Sequence, residues 1–295
     1  MTDTLAFFQS QRRRLFAIAY RMLGVRADAE DVLQDAYLRW QNADVTQLDS
    51  PEAWLVTVTT RLSIDRLRAM KAEREAYIGT WLPEPMIEME TAESPEELVE
   101  RADNVAYALL VVLERLGPEE RAAFLLKQVF DQDYPEIAHI LGKSEASCRQ
   151  LVHRAKTRVQ RDQPRFSVTP QTHRQQLQRF IEAAQSGDYH KILALLSPDV
   201  QSASDGGGKV PATFRPLYGA DRVARLYYAV ARRIGAHISY RFAHINGELG
   251  LLRYYDGQLE SALSIVTDES GIAAIYTMRN PDKLKHFAAM QDDAA

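Results

Sequence analysis

Between Asp131 and Arg161 five polar side chains fall where they would share the free face of one helix: Arg149, Gln150, His153, Arg154 and Lys156. Their chemistry is that of reading nucleic acid. In a major groove Arg matches the acceptor edge of guanine and Gln pairs with adenine, while Arg154 and Lys156 could equally hold phosphates. Cys148, Leu151, Val152, Ala155 and Val159 recur at helical spacing and supply the buried stripe that would aim them. A shorter helix precedes it. Asp133 caps that helix and Pro135 lies in its first turn, where a missing N–H costs nothing. Ile137, Ala138 and Leu141 form its apolar side, Gly142 suits its C′ position, and Ser144 caps the next helix. Two helices joined by so short a turn, the second basic, suit insertion into a groove. From Lys143 to Arg165 the cations are Lys143, Arg149, Arg154, Lys156, Arg158, Arg161 and Arg165, against Glu145 and Asp162. The plainer alternative is a helical hairpin with a solvated basic face.

The elements around this stretch are bounded by composition. With 295 residues the chain has room for two or three domains. No run of about 18 apolar residues would span a membrane. The opening MTDTLAFFQSQRRR carries its charges after its apolar residues, the reverse of a secretory signal, so a cytoplasmic location is expected. Cys148, the single cysteine, can form neither an intramolecular disulfide nor, alone, a metal site, and it fits as a small core residue. No metal and no cofactor are expected. A net charge of −4 argues against indiscriminate nucleic-acid binding. The stretch from Ala76 to Asp103 holds Glu84, Glu88, Glu90, Glu93, Glu96, Glu97, Glu100 and Asp103 against Arg101 alone. Such an acidic linker beside a basic helix points to regulated or partner-guided binding.

Toward the N-terminus, Leu15, Ile18, Ala19, Met22 and Leu23 predict an amphipathic helix ending at Gly24. A second runs from Asp28 to Trp40 with Val32, Leu33, Ala36, Tyr37 and Trp40 on its apolar face. Asp28, Asp31 and Asp35 gather on another side, either as a solvated acidic face or as a docking face for a basic partner. After a polar loop, Asn42 to Asp49, Ser50 caps and Pro51 begins a third helix. There Leu55, Val58 and Leu62 are expected inward, and Thr57, Arg61 and Arg68 on the opposite face.

Three separated motifs now resemble one family in the expected order. Residues 8–74 resemble region σ2, and residues 105–162 region σ4, of bacterial extracytoplasmic-function sigma factors. DAEDVLQDAYLRW resembles the family's helix that grips the clamp helices of RNA polymerase, AWLVTVTTRLSIDRLR its −10-reading helix, and LGPEERAAFLLKQVF with the helix-turn-helix its σ4. The resemblance implies polymerase contacts at Asp28, Asp31, Gln34, Asp35 and Arg39. It implies −10 contacts at Asn42 and Asp44, in the loop where relatives hold a flipped base, and at Thr57, Thr60 and Arg61 beside it. Relatives often carry Asn where this chain has Arg61, so the base preference does not transfer. Arg149, Gln150, His153 and Arg154 match the −35-contacting positions, with Lys156 beside them. Core RNA polymerase (clamp helices and flap) and promoter DNA are the implied partners.

Trp81-Leu82-Pro83-Glu84-Pro85 reads as a stiff, extended segment, either an ordinary linker or a small apolar patch for a partner surface. Irregular chain is expected up to Ala92, and Ser94-Pro95-Glu96-Glu97 makes a capping box that opens the next helix, which ends at Gly117. Beyond Arg165 three helices are expected, Gln171 to Ser186, Tyr189 to Leu196 and Gly219 to Arg233. Four alternating runs follow, His237 to Ile245, Leu249 to Tyr255, Leu259 to Thr267 and Ile272 to Arg279, with hairpin signals at Asn246-Gly247, Asp256-Gly257 and Ser270-Gly271. Helices followed by an antiparallel meander give an α+β domain with a curved sheet.

This region resembles SnoaL-like proteins, which form a cone with an internal pocket. With WLPEP, DGGGK and NPDKL it resembles the sigma-factor subgroup that carries this domain as a fused extension. In cone-fold enzymes an Asp or His facing the pocket acts as general base. Here Asp205 ends a strand before Gly206-Gly207-Gly208-Lys209, with no clear catalytic partner nearby. The three glycines allow close backbone approach but are no phosphate loop. His237 and His244 fit structural or exposed roles. Asn280-Pro281-Asp282-Lys283-Leu284 ends the last strand, as a plain terminus or a second regulatory contact.

The expected fold is thus multidomain: two all-α sigma domains, σ2 and a helix-turn-helix σ4, followed by an α+β SnoaL-like cone. The expected boundaries are σ2 over 1–75, an acidic linker with WLPEP over 76–94, σ4 over 95–165, a regulatory cone over 170–285 and a tail over 286–295. The expected function is promoter-specific initiation by a non-enzymatic polymerase subunit. The cone is expected to modulate it by contacting σ2 and the Trp81 to Pro85 linker, biasing the spacing of σ2 and σ4, and leaves room for an unidentified small-molecule ligand. No membrane partner is expected. Two alternatives stand beside it: a ligand-responsive duplex-binding regulator that does not join polymerase, and a cone-fold enzyme tethered to DNA.

Overall fold

The computed structural model describes residues 4–89, 105–162 and 168–292. The capping box at Ser94 and the acidic residues from Glu90 to Asp103 lie outside them, as does Arg165. The chain divides into two compact units, one of residues 1–76 and 112–162, the other of residues 77–111 and 163–295.

The first unit is all helix. α1 (Thr4–Leu23) buries Leu15, Ile18, Ala19, Met22 and Leu23, and Gly24 ends it at φ +69°. α2 (Arg26–Gln41) buries Val32, Leu33, Ala36 and Trp40. The Trp40 indole packs on Phe7 and Trp54 and donates to the Thr4 carbonyl at 2.8 Å. Ser50 caps α3 (Pro51–Ala69) by accepting from the Ala53 amide. The inward face of α3 differs from the sequence expectation. Leu55 is buried, but Val58 and Leu62 are only partly so, while Val56, Thr57, Thr59, Thr60, Ser63, Ile64 and Leu67 are buried. Two of these buried hydroxyls are accepted by the helix's own backbone, Thr57 Oγ1 bonding the Ala53 carbonyl and Ser63 Oγ the Thr59 carbonyl, both at 2.8 Å. Those of Thr59 and Thr60 have no partner among the described residues. α4 (Lys71–Glu75) follows.

α5 (Tyr107–Leu113) and α6 (Pro118–Gln128) lead into the helix-turn-helix. In α7 (Tyr134–Leu141) Asp133 and Glu136 form the reciprocal capping box, and Gly142 closes the helix in the left-handed conformation at φ +62°. Ser144 caps α8 (Glu145–Asp162), which buries Cys148, Leu151, Val152, Ala155 and Val159.

The second unit is a seven-stranded sheet with both faces covered. The strands are β1 (Ile87–Met89), β2 (Leu196–Asp205), β3 (Leu217–Tyr218), β4 (Ile238–Ile245), β5 (Glu248–Tyr255), β6 (Gln258–Asp268) and β7 (Gly271–Met278), in the order β1-β4-β5-β6-β7-β2-β3. Pairing is antiparallel except between β2 and β7. Asn246-Gly247 and Asp256-Gly257 take positive φ in succession, as two-residue hairpin turns require. Helices α9 (Pro170–Ser186), α10 (Tyr189–Leu195) and α11 (Ala220–Ile234) cover one face, packing Leu177, Phe180, Ile192, Val223 and Tyr227 on Leu251, Leu263, Ile265 and Ile275. The other face, with Ala243, Leu252, Tyr254, Ala262 and Tyr276, is covered by Leu82, Tyr107, Leu284 and Phe287.

Two segments depart from expectation. The stretch before Ala92, read as irregular, contains β1, which pairs with β4 in the register Ile87↔Ile245 and Met89↔Ala243. Residues 286–292, placed in a tail, continue α12 (Pro281–Asp292), whose Leu284 and Phe287 cover the sheet.

Candidate functional site

Three groups of sequence-selected residues can be located. On the σ2-like helices, Asp31, Gln34, Asp35 and Arg39 are exposed on α2. Asp28 is not part of that face. It is buried and accepts two hydrogen bonds from Arg66 of α3, from Nε at 2.8 Å and Nη2 at 2.6 Å. The guanidinium turns this acidic residue into a tie between two helices, a pairing across 38 positions that helical spacing cannot reveal.

In the loop, Asn42 donates to the Leu38 carbonyl at 2.7 Å, and Asp44 caps the short turn Val45–Gln47. Hydrogen bonds from the Thr46 hydroxyl and amide hold the exposed Asp44 carboxyl below its usual range. Thr57 and Thr60, expected to face DNA, are 8% and 1% exposed and point into the helical core. Arg61 is exposed, yet it is engaged. Its Nε donates to the Ile140 carbonyl and its Nη2 to the His139 carbonyl, both at 2.8 Å. These carbonyls are among the last of α7, where helical partners run out and the dipole favours a cation. Arg68 and Lys143 both pair with Glu119 nearby.

Beneath this contact lies a buried ion network. Glu114 accepts from Arg121 Nη1 at 2.7 Å and also pairs with Arg74. The two arginines donate onward to the last carbonyls of α1, Arg121 to Met22 and Arg74 to Leu23, at 2.6 Å each.

On the helix-turn-helix, Arg149, Gln150, His153, Arg154 and Lys156 are all exposed on α8, as the stripe of buried residues dictates. Arg149 pairs with Glu145 at 2.8 Å and lies over the Tyr134 ring. Glu120 holds Arg154 at 3.1 Å and Arg158 at 2.7 Å.

The third group converges most tightly. Asp205, at the end of β2, is fully buried and its carboxylate accepts four hydrogen bonds. Oδ1 accepts from the Tyr77 hydroxyl at 2.6 Å and the Gly207 amide at 3.0 Å. Oδ2 accepts from the Leu82 amide at 2.9 Å and Lys283 Nζ at 2.8 Å. Lys283 also donates to the Leu82 carbonyl at 2.5 Å and lies 4.1 Å from the Trp81 ring centroid. Asn280 donates to Tyr77 at 2.9 Å, and Lys209 pairs with Asp282. The linker is fixed further along by Tyr107, which donates to the Pro83 carbonyl at 2.7 Å, and by the exchange between Met86 and Asn246. Leu82 and Glu84 are buried; Trp81, Pro83 and Pro85 lie along the same docked segment. So WLPEP, Asp205–Lys209 and Asn280–Leu284 form one clasp. Sequence reasoning missed Tyr77 and Tyr107, which carry no periodic signal. Burial and the bond to Asp205 push the Tyr77 phenol well above its ordinary pKa, keeping it a proton donor.

The glycines are needed for this approach. A Cβ on Gly207, at φ +63°, would sit 2.4 Å from Asn280 Nδ2. We expect Gly207→Ala to destabilise the second unit by about 2–3 kcal/mol, through left-handed strain plus displacement of Asn280, read as a lowered thermal midpoint. Near the linker strand, burial pushes the Glu248 carboxyl up to about 7 from 4.5. Because the folded chain holds this proton longer than the unfolded one, stability falls as pH rises from about 4.5 to 7, by roughly 3 kcal/mol. Glu248→Gln should flatten that part of a denaturant-midpoint profile.

His237 pairs with Asp256 at 2.7 Å outside any strand, and His244 lies within β4. No described helix is long and apolar enough to cross a membrane. Among the described residues no group of His, Cys, Asp or Glu is arranged to hold a metal ion.

Comparison with known proteins follows the same divisions. The Sigma-70 region 2 family matches residues 7–73 and the Sigma-70 region 4 family residues 107–159. The chain is 38% identical over 286 residues to the ECF RNA polymerase sigma factor SigJ of Mycobacterium tuberculosis, covering 94% of this chain and 91% of that protein. It is 31% identical to the probable sigma factor SigI of the same species, over 96% of both. The crystal structure of SigJ superposes with a TM-score of 0.77 at 35% identity, covering 95% of this chain and 98% of that one.

Proposed function

This chain belongs to the extracytoplasmic-function RNA polymerase sigma factors, and from that premise we propose how its parts divide the work of promoter-specific initiation. The exposed side of α2, with Asp31, Gln34, Asp35 and Arg39, docks on the clamp helices of core polymerase, and the σ4 region meets the flap. Asn42 and Asp44 receive the flipped −10 base, and Arg61 meets the strand beside it. Arg149, Gln150, His153 and Arg154 read −35 in the duplex, Lys156 and Arg158 supplying charge toward phosphates. For Arg61 to reach DNA it must leave the α7 carbonyls, so its present engagement belongs to a resting arrangement.

The fused domain regulates by holding the interdomain linker, with σ2 over 1–75, the linker to 94, σ4 over 95–165 and the cone extended from 170 through the end of α12 at Asp292. The observation that carries this reading is the Asp205 clasp. A carboxylate with four donors has no accessible lone pair and no space for a substrate, so Asp205 serves as an anchor and not as a general base. Inside the helix-covered face Arg253 and Arg279 both pair with Glu260. The protein acts in the cytoplasm, where polymerase and DNA are.

Run-off transcription with purified core polymerase tests this division, comparing the full chain with versions ending after Arg165 and after Arg279. Core-dependent, promoter-specific transcripts from the full chain and an altered yield from the shortened ones are expected. Duplex binding without any initiation would instead favour a regulator that never joins polymerase.

A further inference from the structure

Helix α11 of the cone carries four cations, all arginine: Arg222, Arg225, Arg232 and Arg233. At about 100° per residue they fall within an arc of roughly 100° on the side opposite buried Val223, Ala224 and Tyr227. All four are exposed. Ala229 lies among them, and exposed Tyr228 borders them, in edge contact with Tyr189. Asp221 is the one acidic residue of this helix, and it is occupied by Arg225 at 2.9 Å and by the Tyr189 hydroxyl at 2.6 Å. Arg222, Arg232 and Arg233 form no ion pair among the described residues. Several exposed arginines elsewhere are paired, Arg154 and Arg158 with Glu120, Arg68 with Glu119 and Arg12 with Glu30, while Arg39, Arg179 and Arg215 stand singly without an ion pair among the described residues. A chain of net charge −4 thus gathers three unpaired arginines and a fourth, paired one along one face of a single helix of its C-terminal domain.

We propose that this arginine stripe on α11 binds the phosphate backbone of duplex DNA, giving the fused domain a direct, sequence-independent contact with the template. The stripe spans roughly 16 Å from Arg222 to Arg233, about five base-pair steps of 3.4 Å. Guanidinium suits phosphate through its paired donors. A solvated face of the same charge would be equally well served by lysines and by interspersed carboxylates. The choice of duplex DNA over another polyanion rests on the reading of α8 as a promoter-reading helix, which places the chain on DNA.

The test is fluorescence anisotropy of the full chain with a duplex of arbitrary sequence, about 40 base pairs long, between roughly 50 and 200 mM salt. Replacing all four residues by Gln (R222Q/R225Q/R232Q/R233Q) should reduce the slope of log affinity against log salt by about 3.6, near 0.9 for each of four lost contacts. Affinity at 100 mM salt should fall more than tenfold. The four Arg→Lys replacements should restore most of the slope. The same four Gln changes should lower the slope again in a chain already carrying R149Q and R154Q, which separates this face from α8. An unchanged slope with an unchanged thermal midpoint overturns the proposal, as does a wild-type chain with no measurable duplex binding at 50 mM salt. Loss of core-polymerase binding with the slope intact also overturns it, in favour of an acidic protein partner. Failure of run-off transcription would instead strike at the sigma reading and leave a measured slope change standing.

Discussion

Replacing Asp205 by Ala should lower the stability of the C-terminal unit by about 3–5 kcal/mol, the range for removing one partner of a buried ion pair. The size follows from what is left behind. Lys283, with its side chain 10% exposed, would keep its ammonium over Trp81 and beside the Leu82 carbonyl but lose its paired carboxylate. The Leu82 amide and the Tyr77 hydroxyl would lose their acceptor in a site closed to water. For a unit of this size the loss corresponds to roughly 10 °C in thermal midpoint. Asp205→Asn keeps the shape and one acceptor oxygen, so its effect should be smaller, yet the Leu82 amide should exchange with solvent faster in both variants. Unchanged midpoints and unchanged exchange at Leu82 would show that the linker is held by apolar packing alone.

Glu114→Gln should be of comparable size in the other unit, about 3–5 kcal/mol. Arg121 is 2% exposed, and Arg74 has its side chain largely covered; their shared carboxylate is the nearest negative charge. Removing that charge leaves two guanidiniums close together around a neutral amide, beside the carbonyls of Met22 and Leu23. The two residues join the end of α1 to the helices that precede the helix-turn-helix, so the variant should also loosen that junction. Adding Arg121→Met should recover part of the loss, because an apolar replacement of a buried pair is often close to neutral. Thermal unfolding of the single and double variants checks both statements. A double variant no more stable than Glu114→Gln would mean that Arg121 contributes through packing and its Met22 bond.

What the sequence made legible was mostly local. The helix-turn-helix is written in neighbours: the Asp133–Glu136 box, Gly142 with its left-handed backbone, Ser144, and the stripe from Cys148 to Val159. The hairpins at Asn246 and Asp256 are equally local. The face of α3 was misread because Thr57, Thr60 and Ser63 count as polar by composition, whereas Thr57 and Ser63 satisfy their hydroxyls on their own helix. Asp28 was grouped with Asp31 and Asp35 because periodicity records angle about an axis and not the arrival of Arg66 from another helix. The three motifs of the clasp could be named separately, but their convergence joins Tyr77 to Asp205 across 128 positions, and no spacing rule reaches that far. β1 escaped notice for a related reason: three residues pairing with a sheet edge leave no pattern of their own.

The most direct test of the regulatory account is the run-off yield of the Asp205→Asn chain beside wild type, with saturating core polymerase on one promoter. If the clasp governs how the sigma regions are presented, the yield should move toward that of the chain ending after Arg165. A yield equal to wild type, together with faster exchange at the Leu82 amide, would show that the linker can be released without consequence, and would contradict regulation through the clasp.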